Sequence, residues 1–156
     1  ILTLKKVLLE LLSQVIEEKL NNKFNIKFIG DKSFLNSEIN SKIDQLENLK
    51  KKTNNYLLIY INYSGKDDIL KAVQKYNSVY SKKNKVKFED FLLTNNYPDP
   101  DILIRSGSFN RLSDFMIYNL SFTELFFTRK LWPDLKKQDL LKIIEKYYLI
   151  ERKFGL

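Results

Sequence analysis

The chain of 156 residues is long enough for a substantial core, and its 44% hydrophobic and 29% charged residues are ordinary for a globular protein. It contains no cysteine and no histidine, which excludes thiol nucleophiles, histidine bases and zinc sites built from these residues. A net charge of +8 favours anionic partners, whereas a mutational bias toward lysine codons would raise the charge with no function behind it.

Helical and strand-like patterns alternate along the chain. Hydrophobic residues at helical spacing predict four long helices, at residues 3–20, 37–51, 66–80 and 136–153. Apolar runs predict four strands, at residues 24–29, 56–63, 102–104 and 125–127. A short helix is expected around residues 88–92, the run 115–120 fits either a strand or a helix, and Asp134 is the expected cap of the last helix. The alternation predicts a single-domain α/β fold, a parallel β-sheet with helices on both faces.

The stretch between Pro98 and Pro133 carries the residues that indicate chemistry. A predicted strand runs into Arg105, and a loop rich in small polar residues follows it as far as Ser113. The chain has four arginines, and two of them, Arg105 and Arg111, flank this loop. Arginine presents a planar fork of donors that suits phosphate, and parallel sheets bind ligands beyond the carboxyl ends of their strands. The pattern predicts a phosphate-binding loop; the alternative is a plain turn with solvated arginines.

The same stretch resembles a known signature. The letters DPDILIRSGSFNRLSDF, followed by SFTELFF and FTRKLWPD, are similar to the C-terminal motif of the cis-prenyltransferases, the undecaprenyl and dehydrodolichyl diphosphate synthases. The segments NIKFIGD, NYSGKDDI and ERKFG, which begin at Asn25, Asn62 and Glu151, match the family in the right order. The resemblance runs from about Leu4 to Gly155.

The resemblance implies roles for particular side chains. Arg105, Arg111 and Ser113 match the positions that bind the diphosphate of isopentenyl diphosphate. Glu124 matches the acidic residue that helps to hold Mg²⁺; its apolar flanks predict partial burial, and a surface carboxylate is the alternative. Asp68 matches an acidic position to which no role is assigned.

The loop departs from the family pattern in several places. Phe109 stands where the family has Glu, Asn110 where it has His or Val, Ser108 where it has Gly, and Lys66 where it has Arg. The loop therefore keeps its anion-binding groups but loses some polar neighbours.

The resemblance implies an enzyme that extends an allylic diphosphate, usually farnesyl diphosphate, with isopentenyl diphosphate to give a long cis-polyprenyl diphosphate. It implies an apolar tail lying along residues such as Leu8, Leu12 and Leu58, and a homodimer or a pairing with a related subunit. It also implies a cytoplasmic location and allows peripheral contact with a membrane, the endoplasmic reticulum in a eukaryote.

Two alternatives stay open. The first is a non-catalytic subunit of the same fold, against which the retained arginine loop argues. The second is a basic nucleic-acid-binding domain, which predicts aromatic and basic residues interleaved on one exposed face. The aromatic residues fall mainly on apolar stripes, so no nucleic-acid partner is expected.

Two family motifs upstream of this signature have no match in the sequence. They are the D-G-N-(G/R)-R-W motif, whose Asp binds Mg²⁺, and the F-S-x-E-N-W segment. The catalytic Asp is therefore expected upstream of Ile1, and the chain is expected to represent the C-terminal two thirds of such a domain.

Overall fold

The structure, a computed structural model of the chain, describes residues 2–17, 23–49, 53–80 and 86–153. In these ranges the helices are α1 (Leu2–Glu17), α2 (Ser37–Asn48), α3 (Gly65–Tyr80) and α4 (Lys137–Tyr148). The strands are β1 (Asn25–Gly30), β2 (Tyr56–Ile61), β3 (Ile102–Arg105) and β4 (Glu124–Phe127). Short 3₁₀ helices occur at Phe88–Phe91 and Trp132–Asp134. The predicted ends of the first two helices, residues 18–20 and 50–51, lie outside the described ranges.

The chain divides into two compact units, residues 1–63 and 64–156. In the first unit β1 pairs with β2, and in the second β3 pairs with β4; both pairs are parallel. Parallel strands that alternate with helices confirm the predicted α/β class. The described strands form two two-stranded sheets, and the prediction of a single domain stays a prediction.

Two parallel strands need a long crossover connection, and the two units make it differently. Between β1 and β2 the crossover contains α2, which begins at the N-cap Asn36; its Oδ1 accepts a hydrogen bond from the Ile39 N–H at 3.0 Å. Between β3 and β4 the crossover is residues 106–123, all of them described, and it contains neither helix nor strand. The polar loop of the sequence analysis is therefore also the connection between these strands.

The core of the first unit corrects one prediction. Leu8 and Leu12 of α1 are buried, Leu12 completely. The same cluster includes Val15, Ile26, Phe28, Ile39, Ile43 and Leu46. Because Leu8 and Leu12 already pack against these side chains, they are core residues and cannot also line a groove for a prenyl tail. Leu58 is partly buried, and Val7 and Leu11 are exposed apolar side chains of α1.

The ambiguous run 115–120 is neither a strand nor a helix. Met116 has a φ of +46°, a left-handed conformation that interrupts both. The buried Asn119 accepts a hydrogen bond from Thr94 Oγ1 at 3.1 Å and donates one to Asp99 Oδ1 at 2.7 Å. Polar contacts therefore anchor an irregular segment whose apolar side chains, Met116 and Leu120, are buried.

The last helix differs from the prediction at both ends. It begins after Lys136, whose N–H donates to Asp139 Oδ2 at 2.9 Å. Asp134 lies in the preceding 3₁₀ turn, so its assignment as the cap is wrong. The helix ends at Tyr148 instead of residue 153, because the last N–H groups form 3₁₀-type bonds that close its final turn.

Two glycines with positive φ allow a matched test of backbone strain and steric overlap. Gly30 has φ +119°, and a Cβ there would lie 2.0 Å from the Ile61 carbonyl oxygen. Gly107 has φ +93°, and a Cβ there would meet nothing within 4 Å. We expect Gly107→Ala to lower the free energy of unfolding by about 1–2 kcal/mol, and Gly30→Ala to lower it by at least about 2 kcal/mol more. Denaturant titrations followed by circular dichroism measure both losses, and equal losses would contradict the steric explanation.

Candidate functional site

The loop after β3 starts with backbone bonds that continue the strand pairing. The Thr128 N–H donates to the Arg105 carbonyl oxygen at 2.9 Å, and the Ser108 N–H donates to the Thr128 carbonyl oxygen at 3.3 Å. The Gly107 N–H donates to the Lys130 carbonyl oxygen at 2.9 Å. The first loop residues are therefore fixed along the segment that follows β4, and Arg105 has a well-defined backbone position at the carboxyl end of β3.

Several non-glycine residues of the loop have a left-handed backbone. They are Ser108, Ser113, Asp114 and Met116, with φ values of +66°, +50°, +64° and +46°. Each such residue costs about 1–2 kcal/mol, and strain of this kind persists only where the surroundings hold it. The φ of Ser108 also explains why glycine suits the same position in the family pattern.

The Arg105 guanidinium turns back over its own loop. Its Nη1 donates to the Arg111 carbonyl oxygen and to Ser113 Oγ, the latter at 2.8 Å. Arg105 is partly buried, whereas Arg111 and Ser113 are exposed. The structure therefore brings together the three residues for which the sequence predicted diphosphate binding. The Ser113 hydroxyl accepts from Arg105 and keeps its own proton for donation to an anion.

The Phe109 ring contacts both guanidiniums. The ring centroid lies 4.5 Å from Arg111 Cζ and 5.9 Å from Arg105 Cζ. A cation above an aromatic face is attracted by about 0.5–1 kcal/mol at an exposed site, and the Phe109 side chain is 53% exposed. The ring therefore restricts Arg111, whose long side chain would otherwise sample many rotamers.

An apolar cavity of about 460 Å³ opens beside Arg105. Its walls come from β3 and from Leu112, Phe115, Met116 and Leu120, with Arg105 and the neighbouring serine at its polar edge. A cation at the edge of an apolar cavity suits a ligand with a charged head and a short hydrocarbon tail.

Glu124 lies at the opposite end of the strand pair. It pairs with Ile102, three residues before Arg105, which places it about 10 Å from Arg105 along the strands. Glu124 is partly buried, as predicted, and it lines a groove with Arg152 and Lys153. In the described part of the chain no three acidic side chains gather into a metal site. The structure therefore does not bring Glu124 together with the arginine loop.

Arg152 anchors the C-terminal segment near Glu124. Its guanidinium donates to Asp101 Oδ1 at 2.5 Å, to Tyr147 Oη at 2.8 Å and to the Phe122 carbonyl oxygen at 2.9 Å. The Asp101 carboxylate raises the pKa of this guanidinium further above its usual range. Arg152, the arginine of the ERKFG motif, thus has a structural role in this chain. The last two residues of that motif lie outside the described ranges.

Asp68 is buried, with an exposed fraction of 3%. Its Oδ1 accepts a hydrogen bond from the Leu93 N–H at 3.0 Å. The contact joins α3 to the segment that follows the first 3₁₀ helix. Asp68, to which the sequence analysis assigned no role, therefore makes a buried structural hydrogen bond in this chain.

Comparison with known proteins identifies the family. The family model described as "putative undecaprenyl diphosphate synthase" matches residues 2–155. The chain belongs to this family. The isoprenyl transferase of Aquifex aeolicus is 37% identical over 156 residues, which cover 96% of this chain and 68% of that protein. This cis-prenyltransferase chain is also 37% identical to the farnesyl-diphosphate-specific ditrans,polycis-undecaprenyl-diphosphate synthase of Buchnera aphidicola, covering 96% of the chain and 64% of that protein.

The fold agrees with a solved relative. The crystal structure of lavandulyl diphosphate synthase from Lavandula x intermedia, in complex with dimethylallyl diphosphate, matches with a TM-score of 0.86 and 30% sequence identity. The match covers 98% of this cis-prenyltransferase chain and 70% of the solved one. The chain therefore has the family's α/β fold and spans about two thirds of the length of these relatives.

Sequence reasoning missed Phe109 as a member of the site. The residue was recognised only as a departure from the family pattern. A signal was present in its position, because an aromatic residue stands between the two arginines in a short loop. An aromatic face between two guanidiniums is a common cation–π arrangement, and the spacing could have predicted it.

The contact between Phe109 and the arginines can be tested through the binding of inorganic diphosphate. We expect Phe109→Leu to weaken binding about two- to fivefold, because the cation–π attraction that orders Arg111 is worth about 0.5–1 kcal/mol. Phe109→Trp keeps an aromatic face and should bind as the parent chain does. Isothermal titration calorimetry measures both constants. Equal binding by the leucine variant and the parent chain would show that the ring does not order the site.

Proposed function

We propose that this chain acts in cis-prenyl chain elongation, in which isopentenyl diphosphate is condensed onto an allylic diphosphate such as farnesyl diphosphate. The observation that carries the proposal is the Arg105 guanidinium, held by Ser113 and by the Arg111 carbonyl group at the carboxyl end of β3. Family membership supports the same reaction, and the names of the relatives favour it over a non-catalytic subunit and over a nucleic-acid-binding domain.

In this proposal the arginine loop binds the diphosphate of isopentenyl diphosphate. Arg105 and Arg111 donate to phosphate oxygens, and each charge-assisted hydrogen bond contributes about 1.5–3 kcal/mol. The Ser113 hydroxyl adds a third donor from the same loop. The site binds through fixed donors and therefore holds the substrate in one orientation.

The apolar cavity beside Arg105 accommodates the five-carbon part of the same substrate. Burial of hydrocarbon there contributes about 0.8 kcal/mol per CH₂ group. With the head of isopentenyl diphosphate on the arginines and its tail in the cavity, its double bond has a fixed position from which to attack an allylic carbon. As the new C–C bond forms, the allylic C–O bond breaks and releases diphosphate, and the isopentenyl unit then loses a proton to restore a double bond.

Magnesium is the expected metal, and the described residues fit it only in part. Mg²⁺ is held in proteins by one or two carboxylates together with substrate phosphates. Glu124 supplies one carboxylate, but it lies about 10 Å along the strands from Arg105 and shares its groove with two cations. We therefore keep Glu124 as a proposed single ligand, and no step above depends on the metal.

The arginines give the first test of this function. We expect Arg105→Ala and Arg111→Ala each to weaken the binding of isopentenyl diphosphate at least about tenfold, because each removes a charge-assisted hydrogen bond. Lysine at either position should restore only part of the affinity, since a point charge replaces a planar fork.

Isothermal titration calorimetry on the full chain measures these constants. Arg129→Ala is the matched control, because it removes an exposed arginine outside the loop and should leave the affinity unchanged. Unchanged affinity in both loop variants would contradict the assignment of the diphosphate site.

We also propose that the chain pairs with a second copy or with a related subunit. Exposed apolar side chains in the second unit support this pairing: Leu125 and Phe127 on one face of β4, and Leu131 and Trp132 after it. These side chains are between 39% and 73% exposed, which is unusual for a cluster on a surface that contacts only water.

The pairing can be tested with two exposed leucines, one on β4 and one on α3. Leu125→Lys should shift the molar mass in multi-angle light scattering from a dimer to a monomer, because it places a charge in the apolar face of β4. Leu70→Lys, at an exposed position of α3, should leave the mass unchanged. A monomeric parent chain would contradict pairing with a second copy, and a dimer that survives Leu125→Lys would contradict the proposed interface.

The location of the chain stays a prediction. None of the helices in the described ranges combines the length and the hydrophobicity that a bilayer span requires.

A further inference from the structure

The turn at the start of α3, formed by Ser64 and the first two helix residues, contacts the arginine loop about fifty residues away in sequence. Ser64, Gly65 and Lys66 form this turn, which matches a family segment that the proposed reaction does not explain. Their partner is Asp114, the residue next to Ser113. All of these residues belong to the second compact unit.

Asp114 receives hydrogen bonds from all three residues of the turn. Its Oδ2 accepts from Ser64 Oγ at 2.6 Å, its Oδ1 from the Lys66 N–H at 3.1 Å, and its backbone carbonyl oxygen from the Gly65 N–H at 2.7 Å. Ser64 Oγ in turn accepts from the Asp67 N–H at 3.1 Å. The Asp114 carboxylate thus caps α3 from a distant loop, where the positive end of the helix dipole favours it.

These bonds hold a strained part of the loop. Ser113 and Asp114 are consecutive residues with φ values of +50° and +64°, a conformation that costs about 1–2 kcal/mol for each of them. With this backbone in place, Ser113 Oγ accepts the hydrogen bond from Arg105. The three hydrogen bonds to Asp114 therefore offset the backbone strain at Ser113 and Asp114, next to the hydroxyl group that accepts the hydrogen bond from Arg105.

Gly65 allows the close approach that these bonds need. A Cβ on Gly65 would lie 2.9 Å from Ile117 Cγ1 and 3.0 Å from the Asp114 carbonyl oxygen. Any side chain at this position would therefore push the turn away from residues 114–117. The presence of glycine at position 65 therefore has a steric explanation, because the loop lies too close to leave room for a side chain there.

We propose that Asp114 is a positioning residue, which holds Ser113 and through it Arg105 in the arrangement that binds a diphosphate. The Ser64-Gly65-Lys66 turn is the fixed support for this contact. The inference rests on the proposed function, because it assigns Asp114 to the same diphosphate site. Asp114 itself does not contact the substrate; it acts through Ser113.

The test measures isopentenyl diphosphate binding and thermal stability for the full chain and its variants. We expect Asp114→Ala to weaken binding about tenfold. Asp114→Asn keeps one oxygen for the Lys66 N–H and an amide that can donate to Ser64 Oγ, so it should bind within about threefold of the parent chain. Gly65→Ala leaves Asp114 intact but separates the turn from the loop, and it should weaken binding as Asp114→Ala does.

Asp68→Ala is the matched control for lost stability. It removes the hydrogen bond that this buried α3 carboxylate accepts from the Leu93 N–H, and should lower the melting temperature while leaving the affinity within about twofold. A purely structural role for Asp114 predicts that affinity follows melting temperature in all variants. That result would overturn the proposal.

The outcomes also separate this inference from the proposed function. One outcome is that the parent chain binds isopentenyl diphosphate, that Arg105→Ala abolishes this binding and that Asp114→Ala retains it. In that case the positioning role is wrong and the diphosphate site stands. If the parent chain does not bind isopentenyl diphosphate, the proposed function itself fails.

Discussion

The hydrogen bonds from Arg105 to the Arg111 carbonyl oxygen and to Ser113 Oγ are the interaction on which the loop depends. They join the residue that ends β3 to residues six and eight positions later, and so close the loop on itself. A loop without helix or strand would otherwise have no reason to keep its left-handed residues in place. Because the donors are ordered before a ligand arrives, less side-chain freedom is lost on binding.

The parallel pairing of β3 and β4 explains why a long loop exists here. An antiparallel pair can be joined by a turn of two residues, whereas a parallel pair needs a connection that returns the chain to the start of the next strand. Residues 106–123 make this return without a helix. The connection therefore places small polar residues at the carboxyl end of β3 and leaves Glu124, where β4 begins, at the other end of the pair. Strand direction alone separates Glu124 from Arg105.

The sequence predicted the parts of the fold that depend on local pattern. Hydrophobic period identified the helices and strands, and the spacing of Arg105 and Arg111 in a small-residue loop predicted an anion-binding loop at the end of β3. The same period cannot tell a core face from a ligand wall, so it could not correct the expectation of a prenyl tail along Leu8 and Leu12, which are buried in the core. It also placed the cap of α4 at Asp134, because the start of the helix depends on how residues 131–136 fold before it.

The contacts that the sequence missed join residues far apart in the chain or depend on side-chain direction. Asp114 reaches Ser64 across fifty positions, and no local pattern indicates that the two meet. The Phe109 contact depends on where a ring points within a loop of left-handed residues. Both contacts become visible only when the backbone of the crossover is known, since its positive φ values set these directions.

The replacement of the family's Glu by Phe109 has an electrostatic consequence for the site. A carboxylate beside two guanidiniums would order them through ion pairs, but it would also cancel part of their charge and compete with an anionic ligand. An aromatic ring orders the guanidiniums by its quadrupole and leaves both positive charges uncompensated. In the proposed site, a diphosphate would then meet two cations that the side chain at position 109 does not neutralise. The loss of polar neighbours in this loop is therefore compatible with strong anion binding, because an aromatic contact takes over the ordering role without neutralising the cations.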